Sequence, residues 1–225
     1  MNKISAFFLP CLLITLWMAN PMPVYACDSQ PTIREANARD IRSFAHSKGM
    51  KILTFVGYSG AGYEDSSALL EHAEQVLDSY DPAKTIVNTG ATADGIGAVY
   101  ELAKQKGFLT IGIVSSLARE EKAKLSPCVD FVFYIPDSTW GGLLPDSKKL
   151  SPTSAAIVSN SSAIVGIGGG EIAKDELLGA KRLGKSVKFF PAEMNHQAAI
   201  EKAQKKGLAI PTDFRGEAHS VFAKE

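Results

Sequence analysis

Ile52-Leu53-Thr54-Phe55-Val56-Gly57-Tyr58-Ser59-Gly60-Ala61-Gly62 is the stretch that decides the fold. An apolar run rich in β-formers passes without a break into a glycine loop, which is how a strand buried on both faces reads. A helix follows: Asp65 or Ser66 can cap it, and Leu69, Leu70, Ala73, Val76 and Leu77 share one face. The same alternation continues outward. Further strands are predicted at 85–87, 109–114, 129–135, 162–167 and 186–190, with a last short one at 208–210. Helices are predicted at 94–106, 154–159, 171–183 and 195–206, and Gly107, Gly184 and Gly207 stop three of them. Ahead of Lys51, residues 33–48 suit a short amphipathic helix with Ile33, Ile41 and Phe44 on its apolar side. Alternating β and α elements predict an α/β fold, a three-layer sandwich with a mostly parallel central sheet. Ligands in such sheets bind beyond the carboxyl ends of the strands.

The first 26 residues read differently. Lys3 precedes the uncharged run Ala6 to Met18, Pro21 and Pro23 break it, and Val24-Tyr25-Ala26 places small residues at −3 and −1 of a cleavage site. This is the layout of a secretory signal, and the run is too short for a comfortable membrane span. The expected division is therefore a signal at 1–26, an N-terminal extension at 27–50 and one domain from 51 to 225. The protein would be exported, to the periplasm or the medium. Cys27 would be the first mature residue. Val24-Tyr25-Ala26-Cys27 looks like a lipobox, although Tyr25 suits it poorly, and would make Cys27 a membrane anchor. Ordinary cleavage would instead leave Cys27 and Cys128 free to pair in an oxidising compartment, or Cys128 as a small buried residue. Charge is balanced, with 24 basic and 24 acidic residues, so nothing marks a nucleic-acid partner.

Three glycine loops fall at predicted strand ends. They are Gly57 to Gly62 (with Ser59 and Gly60), Thr89-Gly90 with Asp94-Gly95 before the next helix, and Gly168-Gly169-Gly170 before the helix at 171. Glycine lets backbone N–H groups approach an anion, and a helix N-terminus adds unpaired donors and partial positive charge. Each loop is also what an ordinary strand-to-helix turn requires. Asp94 has two compatible roles, capping its helix or meeting a ribose hydroxyl. The dinucleotide fingerprint Gly-x-Gly-x-x-Gly, the P-loop and the Gly-x-Ser-x-Gly elbow are all missing. His46, His72 and His219 lack metal-ligand spacing, so no metal and no cofactor is expected.

The opening strand with its Gly/Ser loop, the stretch Thr-Gly-x-x-x-Asp-Gly-Ile-Gly at Thr89 to Gly97, and the strand ending in Gly168-Gly169-Gly170 before an acidic helix together resemble the LOG/lysine-decarboxylase-like (SLOG) superfamily. The likeness runs from about Lys51 to Lys188. It implies a Rossmann-like nucleotide-binding fold, and in the family's enzymes a phosphoribohydrolase that cleaves the N-glycosidic bond of nucleoside 5′-monophosphates. The enzymes' motif Gly-Gly-x-Gly-Thr-x-x-Glu, laid on Gly169-Gly170, puts its glutamate at Glu176. Its later Gly and Thr fall on Ile172 and Ala173. Where the enzymes carry an Arg-Lys pair ahead of this strand, Thr153-Ser154 stands here, with Lys148 and Lys149 the nearest basic pair. Related folds often form homodimers.

Glu176 is thus one catalytic candidate. Glu193, in the polar cluster Glu193, Asn195 and His196, is the other. Glu176 also fits the bland reading of an acid in a solvated first turn, and His196 that of a surface or capping residue. Trp140 would either cover the crevice by stacking on a base or anchor its loop. Three functions follow: an exported protein that binds a nucleotide or nucleotide-derived phosphate ligand, an N-glycosidic hydrolase, or a lipid-anchored interaction protein with an idle pocket. The departures at Ile172, Ala173, Thr153 and Ser154 favour the first.

Overall fold

A computed structural model of the chain describes Cys27 and residues 30–223 apart from 206; the expected signal at 1–26 lies outside the described residues. The strands are β1 (Thr32–Glu35), β2 (Lys51–Gly57), β3 (Thr85–Asn88), β4 (Leu109–Ser115), β5 (Phe131–Ile135), β6 (Ser161–Ile167) and β7 (Ser186–Phe190). They form one sheet in the order β1-β5-β4-β3-β2-β6-β7, and every pairing is parallel. From β2 the chain walks outward through β3, β4 and β5. It then returns to the other side of β2 to lay down β6 and β7. The direction therefore reverses at β2 and β6, where a parallel sheet opens a crevice.

The helices are α1 (Ala38–Ser47), α2 (Ser66–Leu77), α3 (Val99–Gln105), α4 (Leu117–Glu120), α5 (Pro152–Asn160), α6 (Glu171–Arg182), α7 (His196–Lys205) and α8 (Gly216–Phe222), with a 3-10 turn at Gly95–Ala98. Side chains alternate across the sheet. Ile52 and Val56 of β2 enter a core shared with α1, α5, α6 and α8, whereas Leu53 and Phe55 enter one shared with α2 and α3. Burial on both faces is why β2, β3 and β4 read as unbroken apolar runs.

Two expectations are corrected. Residues 32–35 are a strand and not the start of a helix: their backbone pairs with β5, and only from Asn37 onward does the chain turn helical. Asn37 accepts hydrogen bonds from the Arg39 and Asp40 N–H groups, and Asp40 returns one from the Asn37 N–H, a capping box. Residues 208–210 form no strand. The last described element is α8, which packs Phe222 against Phe189 of β7. Asp65, by contrast, caps α2 as expected, accepting from the Ala68 N–H at 2.9 Å.

Cys27 and Cys128 are joined by a disulfide across a separation of 101 residues. It ties the segment ahead of β1 to the loop that enters β5. Among the described residues no helix is long and apolar enough to cross a membrane.

Candidate functional site

A cavity of about 350 Å³ opens beyond the carboxyl ends of β2, β3 and β4, beside the first turns of α5 and α6. Its walls are mainly apolar: Phe55, Val56, Ile113, Ile157 and Ile172 contribute, and Trp140 stands at its edge, 38% exposed. The indole N–H of Trp140 donates to Glu121 at 3.2 Å, which fixes the ring where it lines the cavity. Both weighed roles of Trp140 are thus compatible.

Buried polar groups shape the floor. Asn88, with no exposed surface, donates through Nδ2 to Thr54 Oγ1 (3.1 Å) and accepts from the Ile113 N–H (2.9 Å). Thr54 Oγ1 lies 2.7 Å from Ser161 Oγ, which donates to the Ile157 carbonyl. One asparagine therefore ties β2, β3 and β4 together directly beneath the cavity. The Tyr100 hydroxyl does the same for the turn above β3. It donates to the Ile111 carbonyl (2.6 Å) and accepts from the N–H groups of Thr89 and Ala91, both at 3.0 Å.

Glu176 reaches the cavity from α6 and is 4% exposed. Ser154 Oγ donates to its Oε1 at 2.6 Å and accepts from the Gly142 N–H at 2.8 Å. Burial pushes the Glu176 carboxyl up to about 7; the Ser154 hydrogen bond pulls the other way and the neighbouring Asp175 charge adds to the rise. The loop that closes over it is held by Asp137. Burial alone would raise the Asp137 carboxyl, but the N–H groups of Thr153 (2.8 Å) and Thr139 (2.9 Å) outweigh it and hold the group below its ordinary range. Two buried hydroxyls in the cavity wall, Thr89 Oγ1 and Thr153 Oγ1, meet no partner in hydrogen-bonding geometry, although Thr153 lies close to Asp137 and Thr89 close to Tyr100.

Of the residues singled out in the sequence, Gly57, Ser59, Thr89, Gly90 and Glu176 line this cavity. Gly60 lies outside, in a shallow groove with Ala61, Lys202 and Lys205. Asp94 sits at the cap position of the 3-10 turn, exposed, and its side chain makes no cap hydrogen bond, so the expected cap is corrected; the role falls to no side chain there. Gly95 is required by packing, since a Cβ would fall 2.2 Å from the Tyr58 carbonyl. Gly168, Gly169 and Gly170 border the crevice but do not line the cavity; Tyr58, Ala192, Ala173 and residues 216–218 pack on them. Glu193 is exposed and pairs with His196 at 2.8 Å, away from the cavity lining. Lys148 and Lys149 are exposed and also outside it. Asn88 and Tyr100 were not singled out; an asparagine ending the apolar run Thr85-Ile86-Val87 was the available signal. Among the described residues no cluster could hold a metal ion.

An all-parallel sheet with helices on both faces and a cavity at its point of reversal is a Rossmann-like α/β protein. That fold is the one the LOG/lysine-decarboxylase-like resemblance implies. No protein-family model matches the chain, and no curated protein matches it. Solved structures similar to it include the structural-genomics target TM1055, at 24% identity over 61% of this chain and 72% of that one, TM-score 0.43. They also include the molybdenum cofactor carrier protein of Chlamydomonas reinhardtii, at 18% identity over 73% and 91%, TM-score 0.46. The molybdenum cofactor binding protein of Rippkaea orientalis is similar at 18% identity over 73% and 90%, TM-score 0.45. These are likenesses of fold.

Proposed function

We propose that this chain is an exported binding protein for a nucleotide-like small molecule, held in the cavity beyond β2, β3 and β4. The observation that carries the reading is the cavity itself, a largely apolar space at the sheet's point of reversal with Thr89, Thr153 and the buried carboxyl of Glu176 in its lining. A ring with donors and acceptors would pack between the apolar walls and meet the polar residues of the lining. Trp140 at the mouth offers such a ring a stacking face.

A second reading has one observation in its favour. The raised carboxyl of Glu176 suits a general acid. In N-glycosidic hydrolysis it would protonate the departing base while water adds to the anomeric carbon, and the proton released by that water would restore it. Among the described residues lining the cavity Glu176 is the one acid, with no second carboxyl to activate the water, which favours binding over hydrolysis.

Export is supported by the signal layout and by the Cys27–Cys128 bond, since disulfides persist in oxidising compartments. The same bond occupies the sulfur that a lipid would need, so it favours a soluble protein over an anchored one.

Native mass spectrometry of mature protein from its export host tests all of this. The expected result is a co-purifying or added nucleoside or nucleotide in the complex, no free base on incubation, and a mass consistent with a disulfide. Thr153→Val should weaken the complex. Absence of binding across a nucleoside and nucleotide panel would overturn the reading, free base would establish the hydrolase, and a lipid mass on Cys27 would establish the anchor.

A further inference from the structure

The cavity and the helix end beside it both turn away negative charge. Among the described residues lining the cavity there is no Lys, Arg or His, and the one ionisable group is Glu176. A phosphate carried inside would meet a carboxyl and no cation, and an unpaired buried charge is strongly disfavoured. The natural alternative seat is the N-terminus of α6, where the first N–H groups of the helix lack intrahelical partners.

The chain's own segment 215–218 packs beside that helix end, where no side chain makes a cap hydrogen bond. The Gly169 carbonyl accepts from the Ala218 N–H at 3.0 Å. The Tyr58 hydroxyl lies 2.5 Å from the Arg215 carbonyl. Gly216, with φ +69°, comes so close that a Cβ on it would fall 2.5 Å from the Gly169 carbonyl. Between these anchors Glu217 places Oε2 3.3 Å from where a Cβ on Gly170 would stand, at the cap of α6. The Glu217 charge reaches the first turn of the helix, where it adds to the rise of Lys174, itself held mainly by Glu171 at 3.0 Å.

We propose that the ligand is nucleoside-like and carries no phosphate, because Glu217 supplies from within the chain the negative charge that the N-terminus of α6 would otherwise take from a ligand. This inference rests on the binding reading above and narrows its ligand class. Glu217 is a specificity determinant here and does not touch the ligand.

The test is titration calorimetry on the mature full chain at pH 7 with adenosine, guanosine and their 5′-monophosphates. Nucleosides are expected to bind at least about tenfold more tightly than their monophosphates. Glu217→Gln should shrink that ratio several-fold while nucleoside affinity stays unchanged. Should the exchange disturb folding, judged by circular dichroism, the same titrations of the unaltered chain at 0.05 and 0.5 M salt replace it. The penalty on the monophosphate should then diminish as salt screens it. Monophosphates binding more tightly than nucleosides, or a ratio that neither exchange nor salt moves, would overturn the inference and leave the binding reading standing. No binding by either class would remove both.

Discussion

The turn after β3 and the turn after β6 share a glycine-rich composition and have opposite neighbours. At Gly90 a Cβ would meet nothing within 4 Å, and the residue lines the open cavity. At Gly168 a Cβ would fall 2.5 Å from the Tyr58 ring and 3.0 Å from the Ala192 carbonyl, and at Gly169 it would fall 2.5 Å from the Ala173 Cβ. Gly90 leaves room for something outside the chain. Gly168 and Gly169 let the chain approach itself. Composition and position in the fold are alike, so the difference lies in what packs on each turn, here Tyr58, Ala192 and Ala173.

The largest effect expected from this contrast is at the closed turn. Gly168→Ala combines a left-handed backbone (φ +55°) with a collision against a Tyr58 ring held at its hydroxyl. The two terms, about 1–2 kcal/mol for the backbone and about 1–3 for overpacking, predict a loss of about 4 kcal/mol in urea unfolding. A loss below about 1 kcal/mol would mean that the segment over the turn moves aside easily, and the comparison would lose its basis.

Next comes the carboxyl on the open side. The folded Glu176 carboxyl lies at about 7, above its ordinary 4.5. Between those values the folded protein holds more protons than the unfolded chain, so this group makes stability fall as pH rises from 4.5 through 7, with no further change above. A shift of this size corresponds to about 3 kcal/mol. Glu176→Gln keeps an oxygen for the Ser154 hydroxyl and removes the charge, so it should match the parent at pH 4 and exceed its stability by up to about that amount at pH 8. Equal stability of the two proteins at pH 8 would show that water reaches the carboxyl and that this part of the cavity is not dry.

A smaller effect is expected beneath the cavity. Asn88→Ala strips the Ile113 N–H and the Thr54 hydroxyl of a partner in the interior. The cost should be about 2 kcal/mol, with ligand affinity reduced because β3 and β4 lose their tie below Thr89. Unchanged affinity despite lost stability would separate the floor of the cavity from its recognition surface.

Much of the fold was legible because it depends on local patterns. The runs at β2, β4 and β6 are apolar on both faces, and Asp65, Gly107 and Gly184 mark helix ends by their own conformational chemistry. What was not legible depends on partners far along the chain. Residues 32–35 are a strand only because β5 offers an edge, and every one of them is exposed, so no burial pattern announces them. The site divides in the same way. Gly57, Thr89, Gly90 and Glu176 come together because each follows or faces a central strand end. Glu193 sits past the outer strand β7 and pairs with His196 instead. The closure of Gly168 to Gly170 could not be read at all, since Tyr58, Ala192 and Gly216 are separated from the turn by long stretches of chain.

The smallest expected effect is also the sharpest check on the comparison. Gly90 has φ +84°, so alanine there carries a backbone cost of about 1 kcal/mol and, with nothing within 4 Å of its methyl, no packing cost. Gly90→Ala should therefore unfold only slightly more easily than the parent, in contrast to Gly168→Ala. Its methyl would take up part of the cavity, so the ligand should be held several-fold more weakly in the same titration. Stability and affinity thus move in opposite proportion at the two turns: a large loss of stability marks the turn closed by the chain, and a loss of affinity at nearly full stability marks the one left open. Should Gly90→Ala instead cost as much stability as Gly168→Ala, with ligand affinity unaffected, the turn after β3 would also be a purely structural one, and the open side of the crevice would have to be sought nearer Gly57.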